Sequence, residues 1–185
     1  MLSLTDSKWS ELQSTYGAGT RVADLLSRAE SGVPFDHWYH ELFQELCHQY
    51  TVSEAAYAAL PHLVSLAREN REARKHLLVL AGSCYAFAQL PDAPPIPARL
   101  EQEWHSAARE AIPLLTEILS TDGLSESDLR YLFLSLAAFH GHHSLALALE
   151  ELDAESQCPN CGTIFERPSP MGNCSITWGK LGNRP

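Results

Sequence analysis

A proline inside an otherwise helical pattern is the feature that most constrains this chain. Residues 51–67 read TVSEAAYAALPHLVSLA, and Thr51 with Glu54 three places later predicts a capping box at a helix start. Small and branched apolar residues recur at helical spacing and form one stripe: Ala56, Ala59, Leu60, Leu63, Leu66 and Ala67. The polar residues of the segment fall on the opposite side: Glu54, His62, Ser65 and Arg68. Pro61 removes one backbone hydrogen bond in mid-helix, so we expect it to bend a helix that is packed on its flanks.

The same pattern returns twice along the chain. Residues 107–119, AAREAIPLLTEIL, align with it without a gap, and a weaker copy over residues 22–29 has Ala23 in the proline's place. Positions 23, 61 and 113 therefore correspond, at offsets of 38 and 52 residues. Recurrence at about 40–50 residues is the signature of HEAT and armadillo-like helical repeats. The sequence thus predicts an all-α solenoid of antiparallel helix pairs.

Apolar periodicity and glycine or proline breakers predict the other helices. They are expected at residues 6–16, at 22–29 with a stop at Gly32, at 37–49 with Asp36 as the cap, at 70–90, at 98–120, from the Ser125–Asp128 capping box onward, and at 143–152. No strand is expected before residue 153. Trp9, Leu12 and Tyr16 should face inward. Five leucines should belong to one continuous core: Leu60, Leu63, Leu80, Leu115 and Leu132.

Composition changes abruptly after residue 152, so we expect a solenoid over residues 1–152 and a short irregular, zinc-ribbon-like tail over 153–185. The tail opens with Cys158-Pro-Asn-Cys161-Gly, a turn in which two thiolates can face one metal ion. Cys174 is a third thiolate, and His142, or its neighbours His140 and His143, would complete one structural zinc site. The alternative is a tight turn without metal.

The residues ELFQELCHQYTVSEAAYAALPHLVSLA, together with YGAGTRVADLL and CPNCG, resemble a family of bacterial HEAT-like proteins. Its members are mostly uncharacterised, and some similar helical-repeat proteins are thought to act as immunity partners in toxin systems. The resemblance covers roughly residues 8–165 and implies a helical-repeat fold. It brings no catalytic residues. The chain departs from this family in two places. It has Ala23 where the family usually has proline, and its tail is divergent.

Charge and composition narrow the possible partners. With 13 basic and 23 acidic residues the chain has a net charge of −10, which argues against a nucleic-acid binder and permits a basic protein partner. Its apolar runs are shorter than the ~20 residues of a membrane span, and its start lacks the features of a signal peptide. Five cysteines fit a reducing compartment, with Cys47 and Cys84 as small buried hydrophobic residues. We therefore expect a cytoplasmic protein without a membrane partner.

A run of cations is the candidate partner-binding segment in this acidic chain: Arg68, Arg71, Arg74, Lys75 and His76. Arg68, Arg71 and Lys75 would form one stripe on a continuous helix, whereas a turn near Asn70 would split them. The alternative role is to offset a helix dipole and neighbouring glutamates. His62 is expected at the repeat surface, where it would contact a partner.

The sequence best fits a non-enzymatic protein-binding helical-repeat protein, an immunity-type or regulatory partner of a basic protein. Neighbouring Cys47 and His48 point about 100° apart on a helix and cannot form a catalytic dyad. The alternatives are a metal-dependent enzyme that uses the Cys158/Cys161 knuckle and a helical-repeat protein that binds nucleic acid.

Overall fold

The computed structural model describes residues 1–48, 50–151, 156–157 and 164–165. Its contacts divide the chain into two units, Met1–Glu151 and Leu152–Pro185. In the second unit, strands β3 (Ser156–Gln157) and β4 (Ile164–Phe165) pair antiparallel, with Ser156 opposite Phe165.

The described part of the first unit is mostly helical, as predicted. In chain order its elements are a 3₁₀-helix at Ser7–Glu11, α1 (Thr20–Glu30), a 3₁₀-helix at Phe35–His37, α2 (Tyr39–Leu46), β1 (Cys47–His48), β2 (Thr51–Val52), α3 (Glu54–Glu69), α4 (Arg74–Phe87), α5 (Ala98–Leu119), α6 (Glu126–Phe139) and α7 (His143–Glu151). Consecutive helices pack on each other as α1 on α2, α3 on α4 and α5 on α6. In addition, α3 contacts both α1 and α5, α4 contacts α6, and α7 packs on α6. Helix α3 thus lies between α1 and α5.

Both prolines of the repeat lie inside helices, Pro61 in α3 and Pro113 in α5, as the alignment predicts. Pro61 is half-buried and Pro113 is exposed, so each missing N–H lies near the protein surface. The two proline helices also pack against each other. That the prolines bend them stays a prediction.

One hydrophobic core joins the helices and contains all five leucines predicted for it. Each has no exposed side-chain surface: Leu60, Leu63, Leu80, Leu115 and Leu132. Cys47 and Cys84 are buried, as expected. Helices α4 and α6 approach closely at Gly82, where an added Cβ would lie 2.5 Å from the Cα of Ser135. Only glycine fits this crossing.

The predicted capping box at Thr51 and Glu54 is wrong. Thr51 lies in β2, where its hydroxyl donates to the carbonyl of His48, and α3 begins only at Glu54. The Glu54 carboxylate instead accepts a hydrogen bond at 3.1 Å from the distant backbone N–H of Gln13. The capping box at Ser125 and Asp128 is confirmed, since each side chain bonds the backbone N–H of the other residue.

Other helix boundaries also differ from expectation. The first helix is a short 3₁₀ segment, because the backbone turns back between Ser14 and Gly17, and Tyr16 is 63% exposed. Asp36 lies within a 3₁₀-helix and does not cap α2, which begins after Trp38. The expected helix over 37–49 ends at Leu46, because the next residues pair with Thr51–Val52 in a hairpin. The expectation of no strand before residue 153 was therefore wrong.

Candidate protein-binding surface

The predicted metal ligands are only partly within the described residues. Cys158, Cys161 and Cys174 lie outside them, while the strands β3 and β4 flank the first two in sequence. His142 is exposed; its N–H donates to the Ala137 carbonyl at 2.8 Å, and its carbonyl accepts from the Ala146 N–H at 3.0 Å. Among described residues, no three side chains of ligand type come together. The zinc site stays a prediction.

The basic run is split by a turn, so it does not form one helical stripe. Helix α3 ends at Glu69, and Asn70 caps the following turn by accepting the Ala73 N–H at 3.0 Å. Arg68 pairs with Glu110 of α5 at 2.8 Å, and Lys75 pairs with Asp128 of α6 at 2.7 Å. These cations therefore meet acids on neighbouring helices. Arg71 is exposed and makes no ion pair within the described part of the chain.

His62 is buried rather than exposed, which corrects its expected place at the repeat surface. Only 2% of the residue is accessible. Its Nε2 lies 2.8 Å from the Leu2 carbonyl oxygen, and its Nδ1 lies 3.3 Å from a carboxylate oxygen of Glu30 in α1. The error arose because the sequence shows one apolar stripe, whereas α1, α4 and α5 cover α3 on several sides. Because His62 is buried, it does not contact a binding partner at the surface.

The hairpin between α2 and α3 exposes an aromatic side chain in an unusual backbone conformation. His48 pairs with Thr51 across the hairpin, and Tyr50 lies in the turn. Tyr50 has φ 63°, a left-handed conformation that is rare for a bulky residue. It is 50% exposed, and its ring meets Phe87 edge-on at 5.5 Å.

A second exposed tyrosine, Tyr16, also packs against the hairpin. The Tyr16 ring is 5.9 Å from the His48 ring. Its loop is fixed to α2, because the Thr15 N–H donates to the Glu45 carbonyl at 3.0 Å and the Ser14 hydroxyl donates to the Glu45 carboxylate at 2.6 Å. The exposed Tyr16 therefore stands on a well-fixed backbone.

Arg21 of α1 lies beside Tyr16 with its guanidinium held by two acids. Its Nε donates to the Glu45 carboxylate at 3.0 Å, and its Nη2 pairs with Glu41. The Arg21 side chain is 60% exposed, whereas that of Glu45 is 4% exposed. A buried carboxylate thus orients an exposed cation.

We call Tyr16, Arg21, His48 and Tyr50 the hairpin surface. A depression of about 420 Å³ lies beside Tyr16 and Arg21, and another of about 310 Å³ lies beside Tyr50. Carboxylates outnumber cations in these two linings, with Glu41, Glu45 and Asp92 against Arg21.

No family model, curated protein or solved structure matches this chain. No helix among the described residues is long and apolar enough to cross a membrane.

Sequence reasoning missed the hairpin surface for identifiable reasons. Residues 49–50 read Gln-Tyr in the sequence, without the glycine or asparagine that usually signals a tight hairpin. Residues 47–49 also continue the helical pattern of α2. The short Thr51–Val52 pair was the available strand signal, since both residues are β-branched.

Proposed function

We propose that this chain is a non-enzymatic protein-binding protein and that its hairpin surface contacts the partner. The observation that carries the proposal is Tyr50. A non-glycine residue in the left-handed region costs about 1–3 kcal/mol, and such strain clusters at functional sites. Tyr50 is 50% exposed, so it is accessible to a partner.

The composition of the hairpin surface supports this proposal. Tyrosine and arginine are the residue types that most often dominate binding energies, because they bury large areas and make polar contacts. Arg21 is already oriented by Glu41 and Glu45, so less side-chain entropy is lost when a partner binds it. The surrounding depressions leave room for side chains of the partner.

Charge supports a basic partner. The net charge of −10 and the acids beside the hairpin surface would attract such a protein and speed association. Within this class we propose an immunity-type or regulatory role, in which stacked helix pairs of the HEAT type present the surface.

The test starts with the full chain as bait in a lysate of the source organism and identifies captured proteins by mass spectrometry. Binding of the purified partner is then measured by calorimetry. Replacing both Tyr16 and Tyr50 with alanine should weaken binding at least about 30-fold, as expected for two residues that dominate an interface.

Phe133→Ala is the matched control, since Phe133 is an aromatic residue of α6 that is 48% exposed and lies outside the hairpin surface. It should leave affinity unchanged. Equal affinity of wild type and the double tyrosine variant would contradict the hairpin surface as the binding site.

A further inference from the structure

The depression beside Tyr50 has a mainly apolar lining with one carboxylate. It measures about 310 Å³ and lies between the hairpin and the segment where α4 ends. Its apolar lining comes from both sides: Tyr50, Val52, Phe87, Leu90 and Pro91. Among the described residues that line it, Asp92 is the one charged residue. Such a depression fits a side chain that has an apolar stem and a cationic end.

The segment that carries Asp92 is held in place within the chain. The N–H of Leu90 donates to the carbonyl three residues earlier at 3.0 Å, and the N–H of Ala93 donates to the Leu90 carbonyl at 3.0 Å. The Pro94 carbonyl accepts a hydrogen bond at 2.5 Å from the hydroxyl of Tyr57 in α3. Neighbouring prolines restrict the backbone further. A wall that is already ordered loses little conformational entropy when a partner binds it.

An aromatic ring and a carboxylate together favour a cation in this depression. The ring of the half-exposed Tyr50 lies edge-on to that of the buried Phe87, with their centroids 5.5 Å apart. Cations are attracted to aromatic rings, and the planar, weakly hydrated guanidinium group also stacks on them. Asp92 is exposed and has no hydrogen bond or ion pair within the described part of the chain. Its carboxylate can therefore pair with a cation of the partner.

We infer that this depression binds an arginine side chain of the partner. The inference rests on the proposed function and names the group that the hairpin surface recognises on a basic protein. The methylene stem packs on Val52 and Leu90. The guanidinium group lies against the Tyr50 ring, and its N–H groups donate to the Asp92 carboxylate. Arginine fits better than lysine, because its planar fork can bond both oxygens of a carboxylate.

The test is a titration of the ¹⁵N-labelled full chain with a capped glycine-arginine-glycine peptide, followed by NMR. The peptide should cause saturable shifts at the amides of Thr51, Val52, Leu90 and Ala93. A second peptide replaces arginine with citrulline, which has a similar shape but no charge. It should bind at least about fivefold more weakly, because it forms neither the ion pair nor the cation–π contact.

Variants of the lining test the roles of its residues. Asp92→Asn should weaken binding of the arginine peptide about three- to fivefold, the value of one exposed ion pair, and leave binding of the citrulline peptide unchanged. Tyr50→Ala should weaken binding of the arginine peptide at least about threefold. Asp122→Asn is the matched control, since Asp122 is an exposed acid between α5 and α6, outside this lining. Neither Asp122→Asn nor Tyr16→Ala should change binding of the peptide.

Three results with the peptides would overturn the inference. They are no saturable shifts at the amides of the depression, equal binding of the arginine and citrulline peptides, and an unchanged affinity of Asp92→Asn for the arginine peptide.

The purified partner separates this inference from the proposed function. Asp92→Asn should weaken binding of the partner about three- to fivefold. If Asp92→Asn binds the partner like wild type while the double variant of Tyr16 and Tyr50 does not, the arginine assignment is wrong and the hairpin surface stands. If the double variant also binds the partner like wild type, the hairpin surface is not the binding site, whatever the peptides show.

Discussion

Helices α3 and α5 carry the same proline motif but are buried to different extents. Eleven of the 16 residues of α3 are buried, against six of the 22 residues of α5. Helix α3 contacts α1, α2, α4 and α5, whereas the main contacts of α5 are with α3 and α6. The motif identifies each helix and its inward stripe, but the neighbours determine how many other faces are covered.

Aligned positions show the difference directly. Tyr57 is buried and donates to the Pro94 carbonyl at 2.5 Å, and burial raises its pKa to about 12, whereas the aligned Arg109 is exposed. Val64 is 2% exposed, and its counterpart Thr116 is exposed. The same substitution at aligned positions should therefore have different effects.

The largest expected effect is at Val64. Val64→Asp would place a carboxylate in the core and should lower the free energy of unfolding by about 4 kcal/mol or more, because a buried charge without a partner is costly. Thr116→Asp should cost under about 1 kcal/mol, mainly through the nearby negative end of the α5 dipole. Urea unfolding of both variants measures the difference. If both variants lose a similar free energy of unfolding, the aligned positions in α3 and α5 are equally buried.

Leu63 and Leu115 should instead behave alike, because both aligned leucines are fully buried. Replacing either with alanine removes apolar contacts and leaves a cavity, which should cost about 2–5 kcal/mol. Thermal and urea unfolding check this. A loss below about 1 kcal/mol at either position would contradict the assignment of the shared stripe to the core.

These residues also show what the sequence can predict. The stripe containing Leu63 and Leu115 is periodic, so it was predictable from local spacing. The burial of His62 was not, because it depends on Leu2 and Glu30, which are distant in sequence. The hairpin surface was missed for a similar reason, since Ser14, Arg21 and Glu45 meet only in the folded chain.

Variants of Arg74 and Arg68 would show which interactions stabilise the C-terminal end of α3. The Arg74 side chain is 10% exposed, donates to the carbonyls of Ala67 and Arg68 at 2.7 and 3.0 Å, and pairs with Glu117 at 3.0 Å. Arg74→Ala should therefore cost about 2 kcal/mol, because it leaves helix-end carbonyls without their charged donor.

Arg68→Ala is the matched control. The Arg68 side chain is 52% exposed, as is that of its partner Glu110, so removing this pair should cost under about 0.5 kcal/mol. Denaturant unfolding compares the two variants. An equal loss would indicate that exposed pairing, rather than carbonyl capping, stabilises the end of α3.

A small, pH-dependent effect is expected at the contact between α4 and α6, where Lys75 pairs with Asp128. The hydrogen bond from Lys75 is the main cause of the lowered pKa of Asp128. A lowered carboxyl pKa stabilises the fold above the ordinary value of 3.8, and this contribution is lost as the pH falls through the lower pKa of the folded state. Lys75→Met should therefore cost less than about 1 kcal/mol at pH 7, and the difference from wild type should shrink at pH 3. The control is Arg71→Met, which removes an exposed cation. It should leave the free energy of unfolding unchanged at both pH 7 and pH 3. If the loss from Lys75→Met is the same at pH 7 and pH 3, the Asp128 pair does not couple α4 to α6.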